Sequence, residues 1–279
     1  MEGNDCYKFS TIQQYIDKTD DLPVRVAVDI GANVGDVTVL MRSYFPNSLI
    51  FAFEPVNEYY LHAAAAVSND VRTKVFPLAV TAEHIYSDDL GQNRRSAVKS
   101  LKTLKGLPGS GVGYIGGSKV VPNHVANSDP TAYAELPDGV TPITLDDLVS
   151  AVLKLTGAEE IDILKMDCEG CEHSSLGSAS SETLQKIRFI VGEYHGVCRM
   201  HNIMQHRLYP THYVNLIGDA NLGAFFCERK GEASTILEPD RAGMLIDRPW
   251  LCPTPIDWHC FRSEFVLPSE RRMHALQHA

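Results

Sequence analysis

Residues 165–173, KMDCEGCEH, place two cysteines, three carboxylates and a histidine within nine positions. Types and spacing of this kind admit three kinds of chemistry: metal binding, thiol redox exchange, and acid–base work by the carboxylates. A structural zinc site needs four ligands, and no second C-x-x-C stands nearby, although His173 and Cys198 could be recruited. The chain carries seven cysteines, odd in number and scattered. It is also long enough to fold without covalent staples, so reduced thiols are the expectation. Cys252, His259 and Cys260 near the C-terminus match no established zinc spacing.

The carboxylates become informative once the elements that hold them are considered. VRVAVDI (24–30) is a continuous, β-branched apolar run, as expected of a strand buried on both faces. A pattern of alternation follows along the chain: a helix is expected over 12–17 before this strand, and VTVLMRSYF (37–45) has helical spacing and stops at Pro46. Strands are expected over 48–54, 74–80, 161–167 and 187–195, with an alanine-rich helix over 57–67. HYVNLI and GAFFCER (212–217 and 223–229) read as a closing pair. Strands alternating with helices predict an α/β fold: a Rossmann-like, doubly wound, mostly parallel sheet of seven strands with helices on both faces. Ligands of such sheets gather at the carboxyl ends of the strands. Asp29, Glu54, Asp167 and Glu193 each close an apolar strand or follow it directly, which predicts one crevice lined by acids.

The first strand-to-helix turn discriminates between cofactors. A dinucleotide fold wants G-x-G-x-x-G at a helix N-terminus that receives a pyrophosphate. Here the turn is GANVGD, with Asn33 in place of the second glycine and Asp36 in place of the last. A carboxylate at that helix start repels a pyrophosphate. The run Asp29, Gly31, Asn33, Gly35 instead suits a ligand with an ammonium, for Asp29 to pair with, and a small carboxylate, for the loop amides to receive. Glu54, roughly twenty residues on, is placed to accept both hydroxyls of a ribose. Ammonium, carboxylate and ribose together describe S-adenosylmethionine.

VDIGANVGDVT, FEP, ITLDDL, IDILKMDCEGCE and VGEYH, in that order, resemble the FkbM-type methyltransferases, within the class of Rossmann-like S-adenosylmethionine enzymes. The resemblance spans about 24–229, interrupted over about 92–137. It implies methyl transfer, usually to a hydroxyl oxygen, on small molecules, sugars or natural-product scaffolds, and it implies that Asp167 faces the methyl group and the acceptor. The family's usual run is K-x-D-V-E-G-A-E, so Cys168 and Cys171 stand where small apolar residues normally sit. They are therefore expected to be free, small, buried hydrophobes rather than zinc ligands or a redox couple. Glu169 and Glu172 can favour the following helix N-terminus electrostatically.

Transfer to a hydroxyl requires an acceptor held in line and a base for its proton. The candidates are His195 and Asp167, with Glu193 orienting one of them; histidine suits proton transfer near neutrality. Asp167, Glu193 and His195 could instead hold a divalent cation that acidifies the acceptor, a reading less favoured than a metal-free site.

The chain has 279 residues and a formal net charge of −10, which argues against sequence-independent nucleic-acid binding. No apolar run approaches a membrane span and the first residues lack a secretion-signal layout, so a cytoplasmic protein is expected. One domain is expected over 1–279, with a core of about 22–230, a basic insertion of about 92–137 and a C-terminal extension over 231–279. Arg94, Arg95, Lys99, Lys102, Lys105 and Lys119 cluster in the insertion, which reads either as a lid for an anionic small-molecule acceptor or as a solvated loop. The aromatic, proline-rich PWLCPTPIDWHCF of the extension suits packing over the domain or a homo-oligomer contact. Two other functions stay open: a nicotinamide-dependent oxidoreductase, disfavoured by Asn33 and Asp36, and a catalytically silent module that binds S-adenosylmethionine or a partner.

Overall fold

The structure is a computed structural model that describes residues 7–19, 23–81, 83–87, 93–97, 101–104, 120–122, 133–135, 141–168, 170–195, 203–218 and 222–231. In chain order the elements begin with α1 (Phe9–Thr19), β1 (Val26–Ile30), α2 (Asp36–Tyr44), β2 (Leu49–Phe53), α3 (Asn57–Ala66), β3 (Thr73–Phe76) and β4 (Leu78–Thr81). Short strands β5 (Glu83–Ser87), β6 (Asn93–Ala97), β7 (Leu101–Leu104), β8 (Val120–Pro122) and β9 (Tyr133–Glu135) follow. The chain then returns through β10 (Thr141–Thr144), α4 (Leu145–Thr156), β11 (Ile161–Met166), α5 (Cys171–Ser178), α6 (Ser181–Gln185) and β12 (Ile187–His195). A π-helical turn (Met204–Leu208) leads to β13 (His212–Gly218) and β14 (Leu222–Arg229).

Seven strands form the main sheet in the order β13-β14-β12-β11-β1-β2-β3. The pairs from β12 to β3 are parallel, and β14 runs antiparallel to both its neighbours. The Rossmann-like α/β sheet expected from the alternating pattern is the one observed. Strand order reverses between β11 and β1: from β1 the chain moves outward through β2 and β3, then crosses back to β11 and proceeds the other way. The carboxyl ends of β1 and β11 are therefore the switch point, where ligands of such sheets bind.

The expected third strand over 74–80 differs from the observed structure. It is broken at Pro77 into β3, which joins the main sheet, and β4, which pairs in parallel with β10. Proline lacks the N–H that a continuing ladder would use. Because β4 and β10 are paired in parallel, the chain leaves at the end of β4 and re-enters at the opposite end of the pair. Within that stretch β5 pairs with β6, and β7 pairs with β8 and β9, all antiparallel. The remaining residues of the basic insertion, and the extension from 232 onward, lie outside the described residues, as do Cys6, Cys198, Cys252, His259 and Cys260.

Alternation along the strands divides the core into two layers. Val26, Val28 and Ile30 of β1 face a cluster with Leu148, Val149 and Val152 of α4, whereas Ala27 and Ile163 face Phe9, Ile12 and Ile16 of α1 and Met41 of α2. Helix α4 has the sequence logic of its position: Thr144 accepts from the Asp147 amide at its start, and Gly157 with φ 68° ends it. The same alternation puts Asp29 and Lys165, which are register partners across β1 and β11, on the face covered by α1 and α2.

Candidate functional site

Asp29 is completely buried, and so, to within 1 %, is Lys165. Lys165 Nζ lies 2.9 Å from Asp29 Oδ1 and donates to the Gly31 carbonyl at 3.0 Å. The other oxygen of Asp29 accepts from the Thr38 hydroxyl at 2.6 Å. Burial alone would push the lysine pKa down, but Asp29, Asp167 and Glu54 outweigh it and hold it above its usual value. The pair lies buried under α1 and α2. The Asp29 carboxylate, expected to pair with a ligand's ammonium, lies here against Lys165 and Thr38 beneath the glycine turn.

The turn itself is tightly determined. Gly31 has φ 79°, and a Cβ there would stand 1.9 Å from the Asp167 carbonyl oxygen and 3.1 Å from Cys168 Cα. Only glycine permits that approach and that conformation together. Gly31 and Ala32 both donate to the Phe53 carbonyl at the end of β2, at 3.0 and 3.1 Å, and Asp167 donates its amide to Ile30 at 3.0 Å. Asn33 adopts φ 52°, a left-handed conformation that asparagine tolerates, and its Oδ1 is buried without a hydrogen-bond partner. Gly35, at φ 95°, comes against Ala63 of α3 and opens α2.

Glu54 follows β2 and is 5 % exposed. One oxygen accepts from the Asn33 amide and the other from the Val56 amide, each at 2.8 Å. Each carboxylate oxygen keeps a further lone pair for a hydroxyl donor. Burial raises the pKa of Glu54, against the lowering pull of those two amides and of Lys165.

Asp167 follows β11 and is partly buried; its Oδ2 accepts from the Tyr7 hydroxyl at 2.5 Å, a contact spanning 160 positions of sequence. The Tyr7 ring also lies under Lys165 Nζ, 5.2 Å from the ring centroid. Burial, then the Asp167 charge, raise the tyrosine pKa well above its usual value, with Glu193 and Asp29 adding to it. Glu193 is partly buried in β12, just beyond Gly192, which is the register partner of Met166. His195 closes β12, its backbone opposite Leu222 of β14, while its side chain lies outside the described part of the structure. Glu169 is also outside it. The four strand-end acids stand at or near the carboxyl ends of four parallel strands of the main sheet, Asp29 fully buried among them. Among the described residues no three His, Cys, Asp or Glu side chains gather as a metal site.

The cysteines depart from expectation. Cys168 and Cys171 are joined in a disulfide, with their Cα atoms 5.4 Å apart. Their side chains do pack against the apolar cluster as small hydrophobes would. A turn closed by Gly170 at φ 114° brings the two sulfurs together, and the buried Glu172 carboxylate accepts from the Cys168 and Gly170 amides at 3.1 and 2.7 Å. Cys227, buried in β14, is a free thiol whose pKa burial drives far up.

The profile of the methyltransferase FkbM domain matches residues 29–209, from the first strand-end acid through the site and on past β12. The chain belongs to that family. The FkbM match thus includes Asp29, the glycine turn, Glu54, Asp167, Glu193 and His195, but stops short of Tyr7 and of the closing pair β13 and β14. Among solved structures, the METTL16 MTase domain is similar at 11 % identity and a TM-score of 0.42, covering 79 % of this chain and 65 % of that one. The chain thus spans just under two thirds of that structure's length. Precorrin-6y C5,15-methyltransferase from Geobacter metallireducens GS-15 is similar at 12 % identity and TM-score 0.39, covering 79 % of this chain and 88 % of that one. Magnesium protoporphyrin IX methyltransferase from Synechocystis PCC 6803, with bound SAH, gives 7 % identity and TM-score 0.38 over 80 % of this chain and 82 % of that one. No curated protein sequence matches the FkbM chain.

Sequence reasoning named the acids and the glycines of this site but missed Tyr7, Lys165 and Thr38. Lys165 carried a signal: a lysine inside the apolar strand IDILKM must find an anion when both faces of the sheet are covered. Tyr7 carried none, since its partner is fixed only by how α1 folds back across the sheet.

Proposed function

We propose that this FkbM-family protein transfers a methyl group from S-adenosylmethionine to a hydroxyl of a small molecule. The observation that carries the donor assignment is the pairing of a glycine turn with Glu54. That carboxylate is buried, anchored by the Asn33 and Val56 amides, and keeps lone pairs for two vicinal hydroxyls. The unpartnered buried Asn33 Oδ1 beside this turn suits a donor with an amine close by. When bound, S-adenosylmethionine supplies an activated methyl on a sulfonium.

The chain's own residues then have distinct tasks. The Asp29–Lys165 pair fixes the glycine turn from below, through the Gly31 carbonyl. Asp167, held by Tyr7, borders the side where an acceptor must lie, and its negative charge favours a sulfonium nearby. His195, at the end of β12 beside Glu193, is the base assigned to the acceptor's proton, with Asp167 as the alternative. A small anionic acceptor is the class that the basic run Arg94 to Lys119 would attract.

The test is methyl transfer from labelled S-adenosylmethionine across a panel of hydroxyl-bearing small molecules, with His195→Ala as the matched variant. Product with the wild type, and turnover lowered in the variant at unchanged donor affinity, supports the reading. Donor binding with no product from any acceptor would favour a silent binding module.

A further inference from the structure

The Cys168–Cys171 disulfide has no part in the methyl-transfer chemistry just described, yet it lies against the donor site. Cys168 follows Asp167 directly, and the Asp167–Cys168 peptide is the surface on which Gly31 rests, close enough that a Cβ on Gly31 would overlap it. We propose that Cys168 and Cys171 form a reversible dithiol–disulfide site, exchanging with a low-molecular-weight thiol–disulfide couple, whose oxidised form holds the donor turn in its binding shape. The coupling rests on the donor site assigned above; the thiol chemistry does not.

Several features favour a reversible bond over a fixed staple. The pair closes a loop of only two intervening residues, so it constrains the unfolded chain little and contributes little of the loop-closure stabilisation that long-range disulfides provide. The same turn is also tied by Glu172, whose carboxylate accepts from the Cys168 and Gly170 amides, so opening the bond loosens the turn without unfolding it. Both cysteines are only partly buried, unlike Cys227, which leaves them accessible to a small thiol. Cys171 is also the first residue of α5, and helix N-termini and C-x-x-C runs are settings in which cysteine exchanges readily. The exchange balances: a small disulfide accepts two electrons and two protons from the two protein thiols, passing through one mixed disulfide, and leaves as two small thiols while the Cys168–Cys171 bond forms.

With the bond open, the 168–171 loop gains freedom at the peptide on which Gly31 packs. That freedom reaches the Asp167–Cys168 peptide against which the donor turn packs, and donor binding must then order what the disulfide had ordered beforehand. Coupling of this kind typically changes affinity by factors of about five to a hundred.

The experiment equilibrates the full chain in reduced and oxidised glutathione at a series of ratios. Each sample is divided between alkylation with mass readout, which counts free thiols at Cys168 and Cys171, and titration with S-adenosylhomocysteine. The proposal expects the two thiols to appear together at a ratio where the protein stays folded, and affinity to fall roughly tenfold across the same transition. A Cys168→Val, Cys171→Ala variant should bind with an affinity indifferent to the ratio. Equal affinity in both states, or thiols that appear only on unfolding, would overturn the proposal. An affinity change of the same size in the variant would do so as well. Binding in neither state would instead refute the donor assignment, and the alkylation series would still report separately whether the bond is reversible.

Discussion

Lys165 Nζ stands 2.9 Å from Asp29 Oδ1 and 3.0 Å from the Gly31 carbonyl, with both side chains shut away from water beneath α1 and α2. A pair of opposite charges on neighbouring strands is thereby turned into the foundation of the donor turn. Removing one partner leaves the other buried and uncompensated, which costs about 3 to 5 kcal/mol. Lys165→Met should therefore lower unfolding stability by that order in urea denaturation. Lys165→Met combined with Asp29→Asn should recover a large part of the loss, and a fully additive double variant would show that the two are not coupled.

Glu54→Gln keeps size and burial but sets an NH2 group against either the Asn33 or the Val56 amide. Donor affinity should weaken by on the order of 1 to 3 kcal/mol, read by calorimetry. The wild type should also lose donor affinity on acidification, because only the ionised carboxylate accepts from two hydroxyls. Burial raises the Glu54 pKa, so this loss begins at a higher pH than an exposed glutamate would allow. The stability linkage has the opposite sense. A raised carboxyl pKa favours the folded state below the unfolded value and loses that contribution as pH rises through the folded one. Affinity independent of pH across the acid range, together with wild-type affinity in Glu54→Gln, would remove Glu54 from the donor site.

Gly31→Ala forces a Cβ to 1.9 Å from the Asp167 carbonyl at a φ of 79°. The turn must move off β11, so the variant should lose at least about 1 to 3 kcal/mol of stability, along with most of its donor affinity. Thermal melting with and without S-adenosylhomocysteine separates the two effects. Wild-type melting and ligand shift would show that the turn is softer than its contacts indicate.

His212 provides an acid-sensitive element away from the site. It is buried, its Nε2 is 3.0 Å from the Ile187 carbonyl and its Nδ1 is 2.8 Å from the Thr211 hydroxyl, an arrangement met by the neutral ring donating to Ile187 and accepting from Thr211. Burial depresses its pKa to about 4. The unfolded chain protonates near the ordinary value of about 6.5, so between these two values the unfolded state holds more protons. Stability should fall as pH drops through that window, by up to roughly 3 kcal/mol in all, and His212→Gln should flatten the fall. An identical pH profile in the variant would place the sensitivity elsewhere.

Much of this arrangement was legible in the residues themselves. Continuous β-branched runs announced the parallel strands of the sheet, because that signal is local. Pro77 dividing a run read as one strand was also visible, but the destination of β4 depends on β10, some sixty positions on, and only the assembled fold reveals it. The contact between Asp29 and Lys165 is set by the lateral register of β1 and β11, which no single segment contains. Tyr7 was illegible for the same reason. The two cysteines were read by analogy with the small apolar residues they replace, and their C-x-x-C spacing within a glycine turn proved the stronger guide.

Calorimetric titration of the purified chain with S-adenosylhomocysteine, S-adenosylmethionine and NAD tests the donor site most directly. Micromolar binding of the two methionine-derived ligands, weakened in Glu54→Gln, with no heat from NAD, is the predicted result. NAD binding in their place would contradict it and make the glycine turn a dinucleotide site.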